Sequence, residues 1–497
     1  MALLKPAERH FLAAVVQLAH CNHFLPERVE FERAALGSEF VPGEAVWSAS
    51  VANPDVVRPN LLRVSEKLQP LVHAVRERLS DSAEASSEEL GIYEGCVHYL
   101  LYQKFYPRFV HAKGNWKFYR SFLADWNHYL QIPGKRFETA LEPAHVFACF
   151  RQIHKAFDSI FDNIIGSSLP SARLRASVWQ SIFTHDMRRF RRTMYRKMTD
   201  FPTLITGPSG TGKELVARAI AQSRYVPFDA GALKFADEQE VFLPINIASL
   251  SPTLIESELF GHRRGAFTGA IGDRKGWLEA CPALGSVFLD ELGEMDLSIQ
   301  VKLLRVIETR RFSPVGDTVP RQFQGKLIAA TNRNLPLEIR EHRFREDLYY
   351  RLCADLIETP SLAEQIENSP ESFRELLLYM TRRAVGDEAA GLLPEVEEWI
   401  KLHLPRDYRW PGNYRELEQC VRNIVIRRSY RPMQPDPDEH TAEERFFANY
   451  RAGRLKLSEV VSHYVAHVYL QTGSYEEAAR RLEVDRRTVK SKVGLGG

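Results

Sequence analysis

"TLITGPSGTGKELVARAIA", Thr203 to Ala221, is the stretch on which the reading of this chain turns. A short apolar run enters a turn carrying three glycines and leaves it as a segment with apolar residues at helical spacing. That order of strand, loop and helix is the one a phosphate-binding loop needs. Gly207, Gly210 and Gly212 permit torsions and close approach that a Cβ would obstruct, so the backbone N–H groups around Thr211 can face an anion at a helix N-terminus. Lys213 is placed to reach β- and γ-phosphates, while Glu214 stands where the general pattern has a Ser or Thr hydroxyl for magnesium.

A partner segment lies downstream in "GSVFLDE", residues 285–291, an apolar run ending in two acids. A strand of that kind delivers carboxylates to the edge where phosphates bind. Asp290 is expected on the magnesium side and Glu291 as the polariser of an attacking water, which makes ATP and Mg2+ the expected cofactors and ATP hydrolysis the expected chemistry.

Around these motifs the chain divides. Residues 177–360 alternate short apolar runs with helical stretches, which implies a parallel sheet covered by helices, and residues 361–428 read as a helical lid. "SYRPMQPDPDEHTAEE" (429–444), with three prolines and an acidic run, marks a linker over 429–450. Residues 1–176 are mostly helical, with three- and four-residue apolar spacing in 61–79 and 144–165 and a helix N-cap at Ser86 or Ser87. The aromatics crowded into 93–109 and 115–130 are expected to be core rather than a ligand cage. The whole is multidomain: a helical N-terminal domain, an α/β P-loop ATPase with its lid, and a C-terminal DNA-binding unit.

At 497 residues the chain exceeds what one hydrophobic core usually supports. Sixty-six basic and 64 acidic residues nearly cancel, so any nucleic-acid surface must come from local clustering. Six scattered cysteines without a CxxC pair argue against a zinc site or a disulfide framework and fit a reducing cytoplasm. The apolar run Phe11 to Ala19 loosely imitates a signal peptide, but Glu8 interrupts the basic flank and the run suits an amphipathic helix. No run is long enough to span a bilayer, so no membrane is expected as a partner.

The segment 177–428 resembles the AAA+ domain of bacterial enhancer-binding proteins, the ATPases that activate RNA polymerase carrying sigma-54. The resemblance rests on "ESELFGHRRGAFTGA" (256–270), "DELGEMDLSIQVKLLRVIE" (290–308), "AATNRNL" (329–335), "FREDLYYRL" (344–352) and "WPGNYREL" (410–417), in that order. It accommodates Glu214, since that family carries Gly-Lys-Glu in its phosphate loop. It implies that Asn246 restrains Glu291, that Thr331 and Asn332 sense the γ-phosphate, and that Arg415 contacts nucleotide from the lid. Arg345 and Arg351 match arginine fingers that enter a neighbouring subunit's site, which implies a ring, hexameric by resemblance. The hexapeptide Gly265, Ala266, Phe267, Thr268, Gly269 and Ala270 is implied to grip sigma-54, its two glycines allowing a mobile turn whose tip presents Phe267 and Thr268. An unfoldase with an apolar pore loop, or a replication-type ATPase on DNA, are the alternatives.

Two segments depart from the family pattern: "AEQIENSPESF" (363–373) and the long connection "DAGALKFADEQEV" (229–241), both expected to lie away from the chemistry. "GSYEEAARRLEVDRRTVKSKV" (473–493) reads as a helix-turn-helix and resembles the Fis-like end of the same family, with Ala478, Ala479, Leu482, Val489 and Val493 in its core and Val484 filling the turn. Arg486, Arg487, Lys490 and Lys492 are its expected contacts with upstream DNA. Residues 1–176 carry no recognisable receiver or dinucleotide pattern, and regulation is expected of them by position.

Overall fold

A computed structural model describes residues 3–43, 58–81, 84–137, 142–236, 241–432, 446, 449–450 and 453–493. Most of the expected linker and residues 237–240 of the long connection fall outside these. The chain forms two compact units, Met1–Ser429 and Tyr430–Gly497. No helix among the described residues is long and apolar enough to cross a membrane.

The first unit begins with helices α1 (Pro6–His20), α2 (Glu27–Leu36), α3 (Pro59–Ser80), α4 (Ser87–Val110), α5 (Tyr119–Leu130), α6 (Pro143–Asn163), α7 (Leu169–Phe183) and α8 (Met187–Arg192). The signal-like run is a core helix: α1 starts at Pro6 and buries Phe11, Leu12, Val15 and Leu18. In α3 the buried residues Val64, Leu68, Val72, Val75 and Leu79 form one stripe. Ser86 caps α4 by accepting from the Glu89 amide while Glu89 reaches back, a complete capping box. The aromatics are core as expected, with Phe147 at centroid distances of 5.0 Å from Tyr119 and 5.3 Å from Phe122. Helix α7 runs unbroken through the 176/177 division expected from sequence.

Next come β1 (Thr203–Thr206), α9 (Lys213–Gln222), β2 (Phe228–Asp229), β3 (Lys234–Phe235), β4 (Phe242–Asn246), α10 (Pro252–Phe260), β5 (Gly261–His262), β6 (Arg274–Lys275), α11 (Trp277–Ala280), β7 (Ser286–Asp290), α12 (Leu297–Thr309), β8 (Arg311–Phe312), β9 (Arg321–Gln322), β10 (Lys326–Thr331), α13 (Leu335–Arg340), α14 (Glu346–Leu352) and β11 (Leu356–Glu358). Five strands form a sheet in the order β11-β1-β10-β7-β4, with every neighbouring pair parallel. Every residue of β10 is buried, as a strand covered on both faces demands. Parallel register sets Thr206 opposite Thr331 and Asn246 opposite Asp290, so the strand ends gather along one edge. A lid of α15 (Leu362–Asn368), α16 (Pro370–Val385), α17 (Ala389–His403) and α18 (Asn413–Arg427) follows.

The long connection has a structural purpose that its sequence did not disclose. β2 and β3 pair as an antiparallel hairpin, and Phe228 and Phe235 join the aromatic core of the N-terminal helices. Phe235 lies 4.8 Å from Trp116, and Phe228 lies 4.8 Å from both Tyr119 and Phe147. Helix α6 packs along α9 beside it. The N-terminal helices and the sheet domain therefore share a core.

The second unit contains α19 (Leu457–Thr472), α20 (Tyr475–Leu482) and α21 (Arg486–Val493). Val465, Val468, Ala478, Ala479 and Val489 form its core cluster, with Leu482 and Val493 packed against them. Glu483 makes the turn in the left-handed region, and Asp485 caps α21 through the Thr488 amide at 2.8 Å. Val484 departs from expectation: it is 39% exposed, because the turn is closed by backbone and cap and leaves little to fill.

Candidate nucleotide site and its loop

The glycines of the phosphate loop are there for contact as well as conformation. A Cβ on Gly207 would sit 2.1 Å from Thr359 Oγ1, and one on Gly210 would sit 2.3 Å from the Gly412 carbonyl. At Gly212, φ +89°, a Cβ would meet only Leu215 at an ordinary 3.6 Å, so torsion explains that one. The loop is held from below by Thr211, whose hydroxyl donates to the Pro208 carbonyl at 2.8 Å and lies 2.7 Å from that of Thr359. It is held from the lid by the Tyr414 amide on Gly210 O at 3.1 Å and by Asn413 Nδ2 on Ser209 O at 2.8 Å.

Lys213 opens α9 and folds back so that Nζ donates to the carbonyls of Gly207 at 3.0 Å and Pro208 at 3.1 Å. Burial holds its pKa below the usual lysine range, opposed by the nearby charges of Glu291 and Asp290. Asp290 ends β7 and its pKa is raised, chiefly by burial. Its Oδ1 accepts from the Glu291 amide at 3.0 Å. Glu291 sits at φ +54°, a conformation uncommon for a residue with a side chain, directly after the strand.

A cavity of about 320 Å³ joins these groups. Gly210, Thr211, Gly212, Lys213, Glu214, Asp290, Glu291 and Arg415 all line it, so most of the expected binding residues come together. Arg415 reaches the loop weakly, its Nη1 lying 3.4 Å from Ser209 Oγ. Asn246, Thr331 and Asn332 do not line this space. Asn246 is exposed beside Asp290 in register and makes no hydrogen bond to Glu291, while Thr331 is buried and its hydroxyl accepts from the Arg333 amide at 3.1 Å.

Two walls of the cavity were missed. Ile164, Ile165 and Ser171 contribute from the end of α6 and the start of α7, ahead of the expected domain boundary, as does Gln365 of the 363–373 departure. Gln365 Oε1 accepts from Ser171 Oγ at 2.7 Å and from Tyr414 Oη at 2.6 Å, tying α7, α15 and α18 together. The expectation that both departures lie away from the chemistry is corrected on this point, since a side chain on the first turn of α15 reaches the cleft.

Arg345 and Arg351 also lie outside the cavity. Arg345 pairs with Asp347 at 2.6 Å, and Arg351, 61% exposed, pairs with Glu308 at 3.1 Å.

The hexapeptide sits at the end of the β5–β6 hairpin. Gly265 N–H donates to Ala270 O at 2.9 Å and Ala270 N–H to Phe267 O at 3.0 Å, closing a compact turn in which Gly265 and Gly269 have φ +78° and +103°. Arg263 braces its base, reaching Asp273 at 2.6 Å and Asp317 at 2.8 Å. Thr268 is exposed as expected. Phe267 is not a freely projecting tip: it is half-buried, edge-on to His262 at 5.0 Å, because an apolar ring finds a face within the hairpin. Ile271, 88% exposed, is the side chain that projects instead.

In the second unit Arg486, Arg487 and Lys490 are exposed on α21 and Lys492 is half-buried, with Arg486 paired to Glu476 at 2.8 Å.

The family described as Sigma-54 interaction domain matches residues 182–358. The DNA-binding transcriptional regulator NtrC of Azospirillum brasilense is 38% identical over 289 residues, which is 56% of each chain. The regulatory protein LuxO of Vibrio cholerae is 43% identical over 222 residues, 45% of each chain. The Nif-specific regulatory protein of Azotobacter vinelandii is 41% identical over 223 residues, 45% of this chain and 39% of that one. The chain thus spans about half the length of the curated relatives it matches. A phosphate loop and a paired-acid strand on one parallel sheet, with a braced hexapeptide hairpin carried on the chain between β4 and β7, agree with that match, and over residues 182–358 the chain is similar to the sigma-54 interaction domain of these transcriptional regulators.

Proposed function

We propose that this protein hydrolyses ATP and uses the energy to remodel RNA polymerase carrying sigma-54 while bound to upstream DNA. The observation that carries the reading is the pairing of a nucleotide cleft at the edge of the parallel sheet with a hexapeptide hairpin carried on the chain between two of that sheet's strands, β4 and β7. β7, which ends in Asp290 and is followed by Glu291, lies beside β4, and the chain leaving β4 leads through α10 to the loop. The amides of Gly210 to Lys213 and the Lys213 ammonium hold the phosphates, Glu291 polarises the attacking water, and Arg415 closes the lid side.

Asp290 fits a magnesium ion: it is a half-buried carboxylate whose Oδ2 has no protein partner among the described residues, beside a loop that presents amides to phosphate. Bound there with phosphate and water oxygens, the ion would neutralise phosphate charge. Arg345 and Arg351 act in trans, a reading supported by their exposure and by their absence from the lining of their own subunit's cleft. Hydrolysis then depends on assembly into a ring. In the ring, Asn246 restrains Glu291 while no partner is bound, and Asn332 with Thr331 reads the γ-phosphate. The basic face of α21, Arg486, Arg487, Lys490 and Lys492, holds DNA through phosphate and base contacts.

Thr268→Ala tests the coupling. The side chain is exposed and outside the cleft, so ATP hydrolysis and DNA binding should stay near the wild-type level while sigma-54-dependent transcription is lost. Normal activation by the variant would contradict the role given to the loop.

A further inference from the structure

The N-terminal helices form a second cavity, of about 120 Å³, walled by α1, α4, α6, α7, α8 and the start of α3. Phe157, Phe161 and Trp179 form its aromatic side, with Phe157 4.9 Å from Trp179 and stacked on Phe161 at 6.4 Å. Its size is of the order of the ~150 Å³ apolar cavity that takes up benzene. Unlike such a cavity, this one carries polar groups, the usual composition of a small-molecule site.

Three lining side chains, His98, Tyr99 and Tyr102, carry a buried polar atom that makes no hydrogen bond among the described residues. Arg191 Nη1 lies 3.3 Å from His98 Nδ1, and a guanidinium can only donate, so Nδ1 accepts. Burial keeps His98 neutral by depressing its pKa well below the usual value, which leaves the ring hydrogen on Nε2. That N–H is buried and makes no hydrogen bond, and the same holds for Tyr102 Oη. Buried donors left in this condition are uncommon in folded proteins. Arg58 and Arg191 bring two cations to the lining, against the single carboxylate of Asp158, which is engaged by His154 Nε2 at 3.3 Å.

We infer that this cavity binds a single-ring aromatic carboxylate, its ring packed among Phe157, Phe161 and Trp179 and its carboxylate accepting from Tyr102 Oη and His98 Nε2–H in the field of Arg58. The aromatic wall selects a planar ring. Unpaired donors and an excess of positive charge select an anionic acceptor over a neutral one. The site is separate from the nucleotide cleft, although α6, which forms one wall, also packs against α9.

Titration calorimetry of the full chain with benzoate and with benzamide tests this without reference to hydrolysis or transcription. Benzoate should bind at least tenfold more tightly than benzamide, Tyr102→Phe should weaken benzoate by about tenfold, the equivalent of one lost hydrogen bond, and Ala19→Phe, which fills the cavity from α1, should abolish binding. Circular dichroism and ATP binding report whether each variant is folded, and Tyr102→Phe keeps the test open if Ala19→Phe is not. Absence of benzoate binding, equal affinity for benzamide, or wild-type affinity in a folded variant would overturn the assignment.

Discussion

Phe235→Ala is the substitution that most directly probes how the N-terminal helices are joined to the nucleotide-binding sheet. The ring is 3% exposed, lies 4.8 Å from Trp116 and 4.9 Å from Phe228, and has the Arg151 guanidinium 4.2 Å above it. Truncating a buried Phe to Ala costs about 3–5 kcal/mol through lost transfer energy and the cavity left behind. The β2–β3 hairpin is short and can settle partway into the gap, so the lower end, about 3 kcal/mol, is expected. Urea unfolding of the full chain, followed by tryptophan emission, should show the midpoint of the N-terminal core falling accordingly, while Phe235→Leu should recover most of the loss. ATP binding measured below the transition should persist, because Lys213 and Asp290 stand on other elements. A cost under about 0.5 kcal/mol, the range of surface substitutions, would mean that the hairpin merely rests on the helices and that the shared core is wrong.

Three further outcomes are expected. Lys213→Ala should lose ATP binding, whereas Glu291→Ala should keep it and hydrolyse roughly 10² to 10⁴-fold more slowly, since one group holds phosphate and the other acts on water; normal turnover in the Glu291 variant would remove its role. Arg487→Ala and Lys490→Ala should each lower the slope of log affinity for DNA against log salt by roughly one, and unchanged slopes would return these cations to solvated surface. Acid should also destabilise the N-terminal core: burial depresses His20 and His23 to about 3 and His154 to about 4 from 6.5. Below 6.5 the unfolded chain takes up protons that the folded chain refuses, so stability is fully present above that value and falls as pH drops, by up to roughly 1.4 kcal/mol per pH unit for each histidine. Urea midpoints at pH 7, 6 and 5 measure it, and a flat profile would contradict burial of neutral rings.

The parts of the site legible in the sequence are those whose chemistry is contiguous. Gly207 to Glu214 and Asp290 with Glu291 each need a strand to end where a loop or turn begins, and that punctuation is local. What was hidden depends on contacts between distant segments. Ile164 and Ile165 read as the tail of an amphipathic helix, and only the approach of α6 to α9 makes them a wall of the cleft. Phe228 and Phe235 look like an ordinary short hairpin until their partners, more than eighty residues earlier, are known. Gln365 is one polar residue among several, and its two hydrogen bonds come from Ser171 and Tyr414. For Phe267 the pattern showed an apolar loop residue but not His262 as the face that half-covers it.

Promoter melting is the measurement closest to the central claim. Purified protein, upstream DNA and RNA polymerase carrying sigma-54 should give a melted start site, detected by permanganate reactivity, with ATP but not with a non-hydrolysable analogue, and not with the Lys213→Ala variant. Melting that proceeds without hydrolysis, or its absence with ATP while hydrolysis is normal, would contradict the coupling of the Asp290–Glu291 site to the Gly265–Ala270 loop.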